Sequence, residues 1–293
     1  MKPVVYLPIL LLAWLSITPG YAGQQHAPHY ADIEGRRVYY EESGRGRSVL
    51  LVHGFSLDSR MWDDQFDSLA TKYRVVRYDI SGYGRSTVPE STISSSDEIA
   101  ALLKSLGIDK VTIVGMSLGG SAAVRFAVDY PRMVEALITV SSTLEGFQYN
   151  EQLRSRLASY PKIARDSGLA KAKEVWLKDP FMTPVTNVSS VSERIRGITA
   201  DWSGKQFANP LLWSFRKSPP PAVQRLNEIH VPTLVVVGEK DDINLHAIAD
   251  TLSARIAGAR KVVVPGAGHL LNLELPGTFN KIILDFLSDY LKN

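Results

Sequence analysis

The sequence predicts a doubly wound α/β fold: a mostly parallel, eight-stranded sheet with a helical cap inserted after the sixth strand. Three observations carry this. Short apolar runs without polar alternation recur along the chain, as strands covered on both faces require. Helix-period patterns separate them. One long stretch, 144–221, breaks the alternation and contains no strand run.

Taken in order, Ala31–Tyr40 forms a leading antiparallel hairpin with the residues before Ser48. The parallel strands are Ser48–His53, Tyr73–Asp79, Val111–Gly115, Ala136–Val140, Thr233–Gly238 and Lys261–Val264. Between them, Trp62, Phe66 and Leu69 share one helix face, as do Ile99, Leu102, Leu103 and Leu106, and then Ala123, Phe126, Ala127 and Tyr130. Phe279, Ile282, Ile283, Phe286 and Tyr290 make a final continuous stripe. The break at 144–221 reads as a cap over the C-terminal edge of the sheet, ending at Pro219-Pro220-Pro221. Its aromatics, from Phe147 to Phe215, could line an apolar acyl pocket. Packing of the cap's own small core is the simpler role for any one of them, so none is assigned to substrate.

The 293 residues are 45% hydrophobic, enough to bury a sizeable core. Thirty-three basic residues against 30 acidic leave a net charge of +3, and no Lys/Arg block is present, which argues against a nucleic-acid grip. With no cysteine, disulfides, thiol nucleophiles and iron–sulfur clusters are excluded. Lys2, the apolar run Val4–Leu15 and the small residues Gly20 and Ala22 have the order of a secretory signal cleaved after Ala22. The run is short for a membrane span, and no cysteine follows it to carry a lipid. The expected division is therefore a signal peptide at 1–22, a core of 23–143 and 222–293, and the cap at 144–221. The exported chain would be secreted or periplasmic, and Asn187-Val188-Ser189 would be a glycosylation acceptor in a eukaryotic source.

The chemistry concentrates in Gly115-Met116-Ser117-Leu118-Gly119-Gly120, between a strand and a helix. A serine on so sharp a turn is lifted above the sheet, and the flanking glycines let backbone approach backbone. The segment has neither the Lys-Ser/Thr ending of a P-loop nor G-x-G-x-x-G spacing, so phosphate binding is set aside. A serine needs a base. Of six histidines, His269 follows the last strand, on a loop at the same sheet edge as Ser117. The imidazole in turn needs an acid. Asp241, on the turn after Thr233–Gly238, is favoured over Asp242 and Glu239, which suit a helix start or the surface. The oxyanion donors expected are the backbone N–H groups of Leu118 and of Phe55, the latter in His53-Gly54-Phe55-Ser56, where His53 braces the loop.

On these residues the chain resembles the α/β-hydrolase superfamily from about Ala31 onward. The order Ser117, Asp241, His269 matches, and Asp79-Ile80-Ser81-Gly82-Tyr83-Gly84-Arg85-Ser86 is similar to the family's Asp-x-Arg-Gly-x-Gly-x-Ser turn, with Ser81 in place of arginine. His53 through Trp62 is similar to the carboxylesterase and enol-lactonase branch. The resemblance implies a serine hydrolase acting on a small or medium carboxylic ester or lactone through an acyl-enzyme on Ser117, without metal or cofactor. Carbon–carbon bond hydrolysis and cofactor-free haloperoxidase or perhydrolase chemistry use the same triad and stand as alternatives. The first is less favoured because Phe55-Ser56-Leu57-Asp58 replaces the glycine-rich oxyanion loop usual there. A binding protein that has lost the reaction is a third alternative, disfavoured because every triad position holds a competent residue.

Overall fold

The chain enters its sheet through a hairpin of β1 (His29–Ile33) and β2 (Arg36–Ser43). Glu34 and Gly35 between them have φ of 52° and 77°, the two positive angles that a tight hairpin turn demands. The Asp32 carboxylate accepts the Gly35 N–H at 2.9 Å. The structure, a computed structural model, describes residues 27–88, 94–186, 188–209 and 219–290. The signal-like segment 1–22, Asn187, Trp213 and Phe215 lie outside the described residues.

The remaining strands are β3 (Ser48–Val52), β4 (Arg74–Tyr78), β5 (Val111–Met116), β6 (Val134–Val140), β7 (Thr233–Gly238) and β8 (Arg260–Val264). They form one eight-stranded sheet in the order β1-β2-β4-β3-β5-β6-β7-β8. The pairings are antiparallel from β1 to β4 and parallel beyond. All the expected strands are present. β6 begins at Val134, ahead of Ala136, where pairing with Val111 extends the ladder. The expectation of cover on both faces fails at β8. It is an edge strand, and Val263 is 42% exposed.

Helices α1 (Asp63–Ala70), α2 (Ser95–Ser105) and α3 (Leu118–Asp129) alternate with the strands up to β6. Between β6 and β7 lie α4 (Glu151–Ser167), α5 (Leu169–Trp176), α6 (Ser189–Asp201) and α7 (Lys205–Ala208), with no strand among the described residues there. Then come α8 (Ile243–Arg255), α9 (Leu271–Glu274) and α10 (Pro276–Tyr290). α10 buries Phe279, Ile283, Phe286 and Leu287 and stacks Phe279 on Trp62 at 6.2 Å between ring centroids. Tyr290, read from the sequence as part of that stripe, is 46% exposed, because the helix outruns the sheet at its last turn. Among the described residues no helix is long and apolar enough to cross a membrane.

The strand order positions the site. From β3 the chain moves outward to β4, then returns to place β5 on the opposite side of β3. Loops leaving β3 and β5 therefore diverge, opening a crevice at their C-terminal ends. Val52 is paired with Gly115, so the two strands end level with each other. The first turn of α3 backs onto the end of β3. A Cβ on Gly119 would stand 2.2 Å from the Val52 carbonyl oxygen and 2.5 Å from that of His53. Neither contact is a flexible side chain, so Gly119→Ala must push helix from strand. We expect a loss of about 3 kcal/mol, the upper end of ordinary overpacking, read as a lowered thermal midpoint. An unchanged midpoint would contradict this packing.

Candidate active site

Ser117 sits between β5 and α3 with φ 52° and ψ −112°, a strained backbone for a residue with a side chain. The surroundings hold it there. Its N–H donates to the Val140 carbonyl at 2.9 Å. Its own carbonyl accepts the N–H groups of Ser121 and Thr143, each at 3.1 Å, and the Thr143 hydroxyl at 3.1 Å. The next residue, Leu118, opens α3, so its N–H has no acceptor within the helix.

His269 and Asp241 arrive on neighbouring turns that are tied to each other. Glu239 N–H donates to the Val264 carbonyl and Lys240 N–H to that of Ala267, both at 2.9 Å. The Glu239 carboxylate accepts the Gly266 N–H at 2.8 Å. His269 Nδ1 then lies 3.1 and 3.2 Å from the two Asp241 carboxylate oxygens. A carboxylate can only accept, so Nδ1 donates to it and Nε2 lies on the opposite side of the ring. Burial would raise the Asp241 carboxyl. The adjoining His269 ring, the Ser141 hydroxyl and the Asp242 N–H outweigh it and hold the carboxyl below its ordinary range. Asp242 has a different job. It accepts Asn244 N–H at 2.9 Å, capping α8, and pairs with Arg156 of α4 at 3.1 Å.

The oxyanion-type loop follows β3. His53 is fully buried, with Nδ1 2.8 Å from the Gly54 carbonyl and Nε2 accepting Ile80 N–H at 2.9 Å. Both contacts are met only by a neutral ring protonated on Nδ1. The Gly54 carbonyl also accepts Leu57 N–H at 3.4 Å. Because a trans peptide directs its N–H opposite to its C=O, anchoring that carbonyl sets the direction of the Phe55 N–H. The loop lies against Ser117: a Cβ on Gly54 would be 3.5 Å from the Ser117 Cβ and 2.8 Å from the Met116 sulfur. Asp79 supports the same corner by accepting the N–H groups of Ser59 and Arg85, each at 2.8 Å. Burial lowers His53 and raises Asp79, so both favour their uncharged forms. At Ser81, where the similar family turn has arginine, the backbone N–H donates to Glu98 at 3.2 Å. The Glu98 carboxyl, fully buried, is raised by that burial.

Ser117, His269, Gly54 and Phe55 line one cavity of about 20 Å³, with Trp176, Phe181 and Met182 contributing to its walls. Among the described residues the other histidines stand elsewhere: His29 stacks on Tyr40 in the hairpin, His230 is exposed before β7, and His246 is on α8, while His26 lies outside the described residues.

Several residues at the site had no counterpart in the sequence reading. Phe181 tilts over the His269 ring at 4.5 Å between centroids. Its N–H donates to Asp179 at 2.8 Å, and Arg156, 3.2 Å from Asp179, lies over its outer face. Trp176 donates to the Ser56 hydroxyl at 2.7 Å. Glu274 accepts Gly268 N–H at 3.2 Å and Val185 N–H at 2.9 Å, so one buried carboxylate clips the helical segment to the histidine loop. A lone acid within the apolar run Leu270–Leu275 is the signal that could have found Glu274. Nothing local marks the others, whose contacts with His269 and Ser56 join residues far apart in the chain.

A buried serine on a strained elbow, next to an acid–imidazole pair at the crevice of a doubly wound sheet, defines a class of hydrolase. Residues 49–282 match the model of the alpha/beta hydrolase family, and the chain belongs to that family. It is a hydrolase. The chain is 27% identical over 262 residues to the pimeloyl-[acyl-carrier protein] methyl ester esterase of Nitrosomonas europaea, covering 83% of this chain and 96% of that one. It is 29% identical over 261 residues to the 2-hydroxy-6-oxononadienedioate/2-hydroxy-6-oxononatrienedioate hydrolase of Paraburkholderia phymatum, covering 86% and 91%. Among solved structures, a thermophilic esterase from Thermogutta terrifontis superposes with a TM-score of 0.76 at 26% identity, over 92% of this chain and all (100%) of that one.

Two outcomes are expected. His53 takes up a proton less readily folded than unfolded, so the stability it contributes is present above the ordinary histidine value of about 6.5 and is lost as pH falls below it. Asp79, raised in the fold, works in the opposite sense and offsets part of this as pH falls toward the ordinary carboxyl range. The thermal midpoint should drop between pH 7 and pH 5, and His53→Gln should flatten that drop; an unchanged slope would contradict the neutral buried ring. Glu274→Ala should lower kcat at least about tenfold by freeing the Gly268–His269 backbone, whereas wild-type kcat would remove Glu274 from that role.

Proposed function

We propose that this protein hydrolyses a small or medium carboxylic ester or lactone through an acyl-enzyme on Ser117. The observation that carries the proposal is the shared cavity of Ser117 and His269, with the His269 Nδ1 held 3.1 Å from Asp241. In this mechanism, Nε2 of His269 takes the Ser117 proton as Oγ attacks the carbonyl carbon. Asp241 steadies the imidazolium that forms. The tetrahedral oxyanion is met by the N–H groups of Leu118 and Phe55, each such donor being worth about 2.7–4 kcal/mol in the transition state. Collapse expels the alcohol, which takes its proton from His269. Water then attacks the acyl group with His269 as base, restoring Ser117.

The strained elbow supports this reading further, because a strained backbone persists where the surroundings over-determine it. The names of two relatives that are esterases agree with it. A second reading, hydrolysis of an oxo-dienedioate, rests on the relative from Paraburkholderia phymatum. Offering both substrate types to the purified enzyme separates the two. We also propose export, on the basis of Lys2, the run Val4–Leu15 and Ala22. A mature N-terminus at Gly23 in the extracytoplasmic fraction would support it, and an intact Met1 in the cytoplasm would refute it.

A fluorophosphonate probe should label the wild-type chain and leave Ser117→Ala unlabelled; a folded but unreactive wild type would favour a non-catalytic binding protein. His269→Ala should cut turnover by several powers of ten. Asp241→Asn should be far more damaging than Asp242→Asn, since only the first touches the imidazole, and the reverse ranking would move the acid role to Asp242.

A further inference from the structure

We propose that Met182 is a movable partition between the nucleophile's cavity and an acyl-chain subsite lying in the groove between α5 and α6. This rests on the reading of Ser117 as the nucleophile.

The cavity at Ser117 measures about 20 Å³. That is room for about one water, which needs ~10–15 Å³ on this measure. It serves the deacylating water and excludes an ester, for which sites of about 300–1,000 Å³ are usual. Beyond Met182 lies a groove of about 360 Å³, lined among others by Leu177, Thr183, Pro184, Ser192, Ile195 and Arg196. Met182 lines both spaces and is only 4% exposed, so its side chain is the wall between them.

That wall is built to swing. The Met182 backbone is held, its N–H donating to the Asp179 carbonyl at 2.8 Å. The side chain has three rotatable bonds, and the one polar contact found for it is its sulfur 3.7 Å from the Ser56 hydroxyl, weak next to the 2.7 Å bond Ser56 receives from Trp176. Rotation of this one side chain merges water-sized cavity and groove, with no helix having to move. The occupant is an aliphatic acyl chain. Leu177, Pro184 and Ile195 offer it apolar surface, while Thr183, Ser192, Arg196 and the paired Glu174 and Lys178 make up the polar part of the lining.

The acyl rather than the alcohol portion takes this path because of the neighbours of Met182. It touches Ser56, beside the proposed oxyanion donor Phe55, whereas the leaving oxygen must face His269, which Phe181 covers.

The test is a series of p-nitrophenyl esters from acetate to octanoate, and a parallel series of alkyl acetates, each read as kcat/KM relative to the two-carbon member for the same variant. In the wild type, kcat/KM should rise by up to about fourfold per methylene along the acyl series until the groove is filled. Met182→Ala should raise the octanoate-to-acetate ratio about tenfold. Ser192→Trp, which fills the groove from its rim, should abolish the rise. The proposal is overturned if Ser192→Trp keeps the wild-type acyl profile, or if Met182→Ala changes the alkyl-acetate profile instead. Octanoate binding to Ser117→Ala, followed by tryptophan fluorescence, reads the subsite without turnover. It should exceed acetate binding and lose that excess in Ser117→Ala/Ser192→Trp; no excess overturns the subsite. An unreactive wild type that still binds octanoate in this way would instead overturn the nucleophile reading and leave the subsite standing.

Discussion

The contact of Gly119 with the carbonyls of Val52 and His53 is the constraint on which the site depends. A helix can begin so close to the end of a neighbouring strand only where no side chain intervenes. That approach puts Ser117, at the start of α3, beside Gly54, just beyond β3. Two loops that leave adjacent strands in opposite directions are thereby joined at their bases. The unusual φ and ψ of Ser117 follow from the same packing, since a relaxed turn would carry α3 away from the sheet.

Electrostatics then orders the site from beneath. Asp241 stays charged despite burial because its partners outweigh desolvation, whereas His53 and Asp79 tend to neutrality because theirs do not. The difference suits their positions. In the proposed mechanism, the acid beside His269 steadies the imidazolium that forms. The ring of His53 must supply one donor and one acceptor at fixed places, and only its neutral form can. Glu274 adds a third arrangement, a carboxylate that holds two backbone N–H groups, one from each side of the cavity.

The helical segment between β6 and β7 closes the cavity with side chains that are themselves fastened. Asp179 receives Phe181 N–H, Tyr160 donates its hydroxyl to the same carboxylate, and Arg156 links it to Asp242, next in sequence to Asp241. Phe55 packs edge-on against Trp176 and Trp202, so the oxyanion-type loop is gripped from above as well as braced by His53 below. Among the described residues, the polar contact found for the Met182 side chain is the weak one of its sulfur with the Ser56 hydroxyl.

The strands and most helices were legible in the sequence because each carries its own period, set by backbone geometry and by which face is buried. β8 and Tyr290 were misread because periodicity says which residues are apolar, not where the sheet ends and cover runs out. Ser117, Asp241, His269 and the His53 loop were legible because glycines and turns mark the strand ends where a doubly wound sheet gathers its ligands. Local pattern thus determined the elements, their alternation and the positions of the reactive groups. Only the tertiary structure decided that Phe181 covers the imidazole, that Glu274 clips two segments together, and how small the cavity is. Those are facts about distance between residues far apart in the chain, and one-dimensional pattern has no term for distance.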